Sequence, residues 1–187
     1  MRFILLFISL VTFPALSEWQ LDNQHSSLSF ISIKKAEIAE AHQFNQLSGS
    51  LTSDGQVSFT IDLLSVNTNI AIRNERMKEF LFNTELYPTA SFDAQLDMKK
   101  FNLITIGQAG KLTLTGEIDL HGQKQKVMSD VLVAKLSKKS FVVSSMKPII
   151  LNAQQFGLTE GVKKLQALAK LPSISNAVPV SFVLTFK

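Results

Sequence analysis

The stretch Ala90-Ser91-Phe92-Asp93-Ala94-Gln95-Leu96-Asp97-Met98 alternates apolar and polar residues without a break. Successive side chains of a β-strand point to opposite faces of the sheet, so this pattern predicts a strand with one buried and one solvated face. The same period of two recurs at residues 57–63, 112–120 and 180–186. Antiparallel sheets commonly have one dry and one wet face, so the pattern favours an all-β, antiparallel fold.

Less regular stretches complete the predicted sheet, at residues 27–33, 103–108, 126–135 and 140–151. Turn-forming pairs fall between strands, at Asp54-Gly55, Ala109-Gly110 and His121-Gly122. About eight strands at this spacing are typical of a sandwich or an up-and-down barrel. Residues 73–82 and 159–171 have helical spacing instead and predict two short helices.

The first seventeen residues are typical of a cleaved signal peptide. Arg2 precedes an apolar run, residues 3–13, that is too short for an ordinary membrane span. Small residues at Ala15 and Ser17 fit a signal-peptidase site, so we expect cleavage after Ser17, a mature domain at residues 18–187 and a periplasmic location. No later stretch is long and apolar enough for a membrane helix, so stable membrane insertion is not expected.

Composition excludes several classes of function. The chain has 187 residues and a net charge of +4, and lysine supplies most of its basic residues as scattered pairs, so nucleic acid is not an expected partner. It lacks cysteine, its three histidines have no metal-ligand spacing, and no nucleophile or phosphate-binding motif is present. We therefore predict no catalytic residue, no metal site and no enzymatic activity. Fourteen phenylalanines against one tyrosine and one tryptophan indicate a large apolar interior.

Five groups of residues, in order along the chain, resemble the YceI-like family of secreted bacterial proteins. They are WxLDxxHSxLxF at 19–30; GxL at 49–51 with DG at 54–55; SVNT at 65–68 with RNERM at 73–77, LF at 81–82 and YPxAxF at 87–92; LTLxG at 112–116 with HG at 121–122; and FGL at 156–158. The chain departs from the family at Asn74 and Arg76, which stand where Asp and His are usual, although Arg73 remains.

The resemblance implies a lipocalin-like barrel whose apolar cavity holds an isoprenoid lipid, either a polyisoprenoid or an isoprenoid quinone. No other cofactor is implied. The candidate ligand-binding residues are apolar strand positions, residues of the 73–82 segment that would cap the barrel, and one polar family position: Phe30, Phe59, Phe92 and Phe182; Met77, Phe80 and Phe82; and Arg73. Leu81 and Phe186 are apolar neighbours of these sets, and His25 and Ser26 are further polar family positions.

Three other functions are compatible with the same residues. A barrel with a filled core would act as a stress-related or protein-interaction module. A hydrolase or isomerase of an apolar substrate would need inward-facing carboxylates or histidines, whereas the alternation places most of these on the wet face. A membrane-surface protein would use the amphipathic residues 162–171. A symmetric homodimer also remains open, although no sequence feature marks an interface.

Overall fold

Twelve strands and three short α-helices make up the computed structural model, which describes residues 19–187. The expected signal peptide, residues 1–17, lies outside the described residues. The strands are β1 (Trp19–Gln20), β2 (Ser27–Lys34), β3 (Ile38–Phe44), β4 (Leu47–Leu51), β5 (Gln56–Asp62), β6 (Val66–Asn67), β7 (Thr89–Gln95), β8 (Ala109–Leu120), β9 (Gln123–Lys135), β10 (Phe141–Ser145), β11 (Ile149–Asn152) and β12 (Ala177–Phe186). The helices are α1 (Ala71–Arg76), α2 (Met98–Leu103) and α3 (Thr159–Leu168), and α1 continues into a π-helical segment, Met77–Phe82.

The strands form one antiparallel sheet in the order β1-β4-β5-β7-β8-β9-β10-β12-β2-β3-β6, with β11 paired to β12. The sheet curls, because Leu21, just after β1, bridges Phe186 at the end of β12. Its backbone neighbours reinforce this closure, since Gln20 and Lys187 exchange two hydrogen bonds of 2.7 and 2.9 Å. The prediction of an all-β, antiparallel, lipocalin-like fold is confirmed.

The number of strands is about twelve rather than about eight, because the prediction lacks β1, β3, β4 and β6 and because its stretch at 140–151 is divided into β10 and β11. A short 3₁₀ turn at Asn23–His25 separates β1 from β2. Pro148, which has no N–H to donate, stands between β10 and β11. The turns predicted at Asp54-Gly55 and His121-Gly122 are confirmed, and His121 and Gly122 both adopt positive φ between β8 and β9. This is the backbone that a two-residue hairpin turn requires.

The region between β7 and β8 differs from the prediction. Residues 103–108 are not a strand, and Ala109-Gly110 is not a turn but the start of β8. The reason is local: the Asp97 carboxylate accepts hydrogen bonds from the backbone N–H groups of Lys99 and Lys100, and so caps α2. The turn lies instead at Gly107, which has a φ of +82°.

Both predicted helices are present with shifted ends. The first begins two residues earlier, at Ala71, and continues through the π-helical segment to Phe82. The second begins at Thr159 as predicted but ends at Leu168. The alternating stretch that starts in β7 leaves the sheet after Gln95, because its last residue, Met98, begins α2.

One end of the barrel interior is packed with aromatic side chains, which we call the filled end: Trp19, Phe101, Phe141 and Phe186. The Phe101 ring meets the rings of Trp19 and Phe141 edge-on, at centroid distances of 5.8 and 5.1 Å. Phe141 stacks on Phe186 at 5.0 Å. Helix α2 delivers Phe101, which is 1% exposed, so this helix plugs the filled end.

Candidate functional site: an apolar cavity

The other end of the interior contains a cavity of about 210 Å³, which we call the hollow end. Its wall is almost wholly apolar, and Ser91 and Ser129 are the polar residues among the described residues that line it. Seven phenylalanines contribute to the wall: Phe30, Phe44, Phe59, Phe82, Phe92, Phe156 and Phe182. An apolar cavity of this kind attracts an apolar ligand, because each square ångström of apolar surface removed from water contributes about 25 cal/mol.

Five of the eight residues predicted from the sequence lie on this wall: Phe30, Phe59, Phe82, Phe92 and Phe182. Alternation along β2, β5, β7 and β12 brings four of them to the inner face of the sheet. Whether each contacts a ligand stays a prediction. The sequence analysis missed Phe44 and Phe156. Phe44 ends β3, a strand whose residues alternate too weakly to be assigned, whereas Phe156 belongs to the FGL segment and was not considered as a lining residue.

The π-helical segment and α3 cover the hollow end. Leu81 and Phe82 from the segment and Val162 from α3 all line the cavity. Gly161 permits this packing, because a Cβ at this position would lie 2.5 Å from the carbonyl oxygen of Phe80. The apolar side of α3 is therefore turned inward rather than left free on the surface.

Met77 and Phe80, which the sequence placed in the cap, are not among the residues that line the cavity. Met77 is buried in the main hydrophobic core beside the cap. Phe80 is half-buried, and the Nζ atom of Lys164 lies 5.3 Å from the centre of its ring. Both residues support the covering elements instead of forming the wall.

Arg73 also lies off the cavity wall, in a polar cluster between α1 and the β2–β3 hairpin. Its guanidinium forms an ion pair with Glu40 and donates a 2.6 Å hydrogen bond to the carbonyl oxygen of Thr68. Lys34 also binds Glu40, at 2.5 Å. The hydrogen bond from Lys34, joined by that from Arg73, lowers the pKa of Glu40.

His42 is the buried member of this cluster. Its Nε2 atom lies 2.9 Å from the Ser32 hydroxyl, and its ring packs 5.2 Å from the ring of Phe30 on the cavity wall. Burial lowers the pKa of His42 to about 4, and the positive charge of Arg73 acts in the same direction. The Nδ1 atom of His42 and the Nε atom of Arg73 have no hydrogen-bond partner among residues 19–187.

His25 and Ser26, the other polar positions of interest, hold the chain together near β12. The Ser26 hydroxyl donates to the carbonyl oxygen of Asp22 and accepts from the N–H of Thr185. His25 and Lys187 bind the Asp22 carboxylate, each at 2.6 Å. The hydrogen bond from Lys187, with that from His25, lowers the pKa of Asp22 to about 2. This geometry is a structural junction, separate from the cavity wall.

Within residues 19–187, no group of three or more His, Asp or Glu side chains is placed to hold a metal ion. None of the helices there is long and apolar enough to cross a membrane.

Comparisons with known proteins agree with the fold. The model of the YceI-like domain matches residues 19–186. The chain is 34% identical to a polyisoprenoid-binding domain from Saccharophagus degradans implicated in plant cell wall breakdown, with a TM-score of 0.88 over 91% of this chain and 98% of that one. Among curated proteins, none matches the chain.

Two more distant structures show the same fold. BcnA from Burkholderia cenocepacia is 20% identical, with a TM-score of 0.68 over 88% of this chain and 98% of that one. A YCEI protein from Campylobacter jejuni is 17% identical, with a TM-score of 0.58 over 82% of this chain and 88% of that one.

Proposed function

Because the chain belongs to the YceI-like family, we propose that it binds an isoprenoid lipid, a polyisoprenoid or an isoprenoid quinone, in the hollow end of its barrel. The cavity carries this proposal: it is enclosed by phenylalanine, leucine, isoleucine and valine side chains and capped by two helical elements. A methyl-branched chain gains from burial against such a wall and needs no charged anchor. The 34% identity to a polyisoprenoid-binding domain supports the same ligand class.

Binding without chemical change is the second part of the proposal. The wall supplies the hydroxyl groups of Ser91 and Ser129 and otherwise apolar side chains. His42 and Glu40, which carry titratable groups, hydrogen-bond within the polar cluster off the wall. We therefore expect the lipid recovered from the protein to have the same mass as the lipid supplied.

The site of action is the third part. We propose that the protein works in the periplasm after cleavage behind Ser17, as the apolar run at residues 3–13 supports. N-terminal sequencing of protein from the periplasmic fraction should begin at Glu18. A mature protein that begins at Met1 in the cytoplasmic fraction would contradict this assignment.

Uptake by delipidated protein tests the binding function. Native mass spectrometry should show a one-to-one complex with an added isoprenoid quinone or polyprenol. Ala90 is 5% exposed and lines the cavity, so Ala90→Leu should fill part of it and reduce uptake. Ala41 is exposed on β3, and Ala41→Leu serves as the matched control that should bind normally. Equal uptake by both variants, or no uptake by the wild type, would contradict the proposal.

A further inference from the structure

The wall of the barrel has a gap between β9 and β11. Strand β9 pairs with β8 over almost its whole length, but with β10 only through Val131–Lys135. Past the hydrogen bond from Met146 N–H to the Asp130 carbonyl, the chain turns at Pro148 and continues as β11, which pairs with β12 instead. Among residues 19–187, no strand pairs with the early half of β9 on this side, and we call this gap the seam.

A second hollow adjoins the cavity at the seam. This hollow has a volume of about 370 Å³ and lies between β9 and β11. Five residues line both spaces: Val127, Ser129, Ile149, Leu151 and Phe156. One side-chain hydrogen bond spans the opening, from Gln125 Nε2 to the carbonyl oxygen of Gln155, at 3.3 Å. The inner cavity and the outside are therefore separated here by side chains rather than by a paired strand.

The inner cavity is too small to hold a long isoprenoid chain by itself. Pockets for small ligands usually measure about 300–1,000 Å³, and the inner cavity has about 210 Å³. A long isoprenoid chain therefore needs space beyond it. The second hollow adjoins the side of the cavity. Packed aromatic rings close the filled end, and α3 with the π-helical segment covers the opposite opening of the barrel, its mouth.

The outer rim of the seam is both apolar and basic. Met128 and Ile150, on opposite sides of the seam, are 72% and 61% exposed. Lys126 and Lys147 line the same hollow. Within residues 19–187 neither lysine forms an ion pair. We define these four residues as the rim.

The carboxylates beside the rim lysines are shared with other lysines, since Asp130 lies within Coulombic reach of Lys147 and Glu117 stands opposite Lys126 in the pairing of β8 with β9. Asp130 on β9 binds Lys111 at 3.2 Å, and Glu117 on β8 binds Lys124 at 3.1 Å. Exposed apolar side chains beside lysines that form no ion pair among the described residues fit a surface that is negatively charged outside and apolar beneath. An anionic lipid bilayer has such a surface, with charged headgroups over an apolar interior, and an isoprenoid lipid resides in that interior.

We propose that the seam is the route by which the lipid enters and leaves the cavity, and that the rim docks on an anionic bilayer during transfer. This inference rests on the proposed function, since it assigns an entry path to the same cavity. It places loading at the side of the barrel rather than through the end that the apolar side of α3 already covers.

Vesicle binding and lipid transfer test the proposal. The rim variants are Lys126→Gln with Lys147→Gln, and Met128→Ser with Ile150→Ser. The matched controls are Lys138→Gln with Lys139→Gln, and Leu103→Ser with Leu136→Ser, which change exposed residues of the same types toward the filled end. Cosedimentation uses phosphatidylcholine vesicles with and without phosphatidylglycerol, and transfer is the rate at which a quinone moves from such vesicles into the protein.

We expect the wild type to cosediment with phosphatidylglycerol-containing vesicles and to release them as salt rises from 0.1 to 1 M, because the screening length then falls from about 10 to about 3 Å. The double lysine variant should bind about thirtyfold more weakly, at about fivefold for each lysine near an anionic surface. Both rim variants should slow transfer in parallel, whereas both controls should behave as the wild type.

Equilibrium uptake of quinone, added in solvent without vesicles, separates the two proposals. Rim variants with normal uptake but slow transfer support the seam. Rim variants with normal uptake and wild-type transfer overturn it and leave the binding function intact. Absence of uptake by the wild type overturns the binding function and the transfer route together. If the wild type ignores anionic vesicles and instead forms a dimer that Met128→Ser with Ile150→Ser abolishes, the rim is a protein interface and the membrane assignment is wrong.

Discussion

The two ends of this barrel use the same residue type for opposite purposes. At the filled end, Trp19, Phe101 and Phe141 contact one another edge-on at centroid distances of 5.1–5.8 Å. At the hollow end, seven phenylalanines surround a space of about 210 Å³. Aromatic rings that meet within about 4.5–7 Å stabilise one another beyond their burial, and rings beside a void lose contacts on one side.

The difference between the ends comes from the connections rather than from the strands. Strand β7 turns the same residue type inward along its length. Ala90 faces the cavity, whereas Ala94, four residues later on the same face, is buried without facing it. What changes is that α2 inserts Phe101 between the strands at one end. At the other end, α3 and the π-helical segment lie across the mouth and leave space beneath. A short capped helix thus decides which end is core and which is cavity.

Removing the plug is expected to have the largest effect. Phe101→Ala should lower the free energy of unfolding by about 3–5 kcal/mol, as for a buried phenylalanine in a packed core. Phe182→Ala, on the cavity wall and half-buried, should cost clearly less because fewer packed neighbours surround the ring. Urea denaturation measures both. Equal losses would break the distinction between the two ends.

Adding volume should have opposite consequences at the two ends. Ala94→Leu overpacks a buried site and should lower the free energy of unfolding by about 1–3 kcal/mol. Ala90→Leu extends into the cavity, so its stability should stay near or above that of the wild type. Thermal and urea unfolding of the two variants give the comparison. An Ala90→Leu variant as unstable as Ala94→Leu would show that the hollow end is packed in solution.

Acid should lower the free energy of unfolding of the protein through His42. Its pKa is about 4 in the folded protein and 6.5 ordinarily, so below pH 6.5 the unfolded chain binds a proton that the folded protein does not. The contribution of His42 to the free energy of unfolding is therefore fully present above pH 6.5 and falls as the pH drops toward 4. Between pH 7 and pH 5 the loss from this group should be about 2 kcal/mol.

The control is His42→Gln, which should lose this part of the pH dependence whatever its stability at pH 7. Urea midpoints at pH 7 and pH 5 compare the two proteins. An identical pH dependence in wild type and variant would exclude His42 as its origin. The pKa of Glu40 is lowered, so its own contribution is lost at lower pH, below its ordinary value of 4.5.

The smallest expected effect concerns Asn74 in α1. The Asn74 carboxamide oxygen accepts hydrogen bonds from the Thr68 hydroxyl, at 2.6 Å, and from the Thr68 N–H, at 2.9 Å. Asn74→Ala should cost about 1 kcal/mol, since Thr68 is buried and loses both acceptor contacts. Asn74→Asp keeps an acceptor oxygen and should lie closer to the wild type. If Asn74→Asp is more destabilising than Asn74→Ala, the two hydrogen bonds from Thr68 are not the source of the stability that Asn74 contributes.

The sheet could be predicted from the sequence because its signals are local. Alternation in β5, β7, β8 and β12, with the turns at Gly55 and Gly122, predicts antiparallel strands directly. The alternating stretch at 90–98 misleads at its end, because the Asp97 cap outweighs the period of two and starts α2. The number of strands was underestimated in part because β1 and β6 have only two residues each, too few to show a period of two.

The candidate site was predictable where it depends on strand phase. Phe30, Phe59, Phe92 and Phe182 lie on the cavity wall for the reason that predicted them. Arg73 did not reach the wall because Glu40, thirty-three residues away, binds its guanidinium, and no local pattern announces such a pair. The seam could not be predicted from the sequence either, because it arises where β11 pairs with β12 instead of with β9.

Native mass spectrometry of the protein as isolated from its natural compartment tests the central claim most directly. Organic extraction and mass analysis would then identify whatever is released. We predict a stoichiometric apolar adduct that solvent removes and that proves to be an isoprenoid. A bare protein mass in every preparation, with no uptake of added quinone or polyprenol, would contradict the account and favour a barrel that acts through its outer surface.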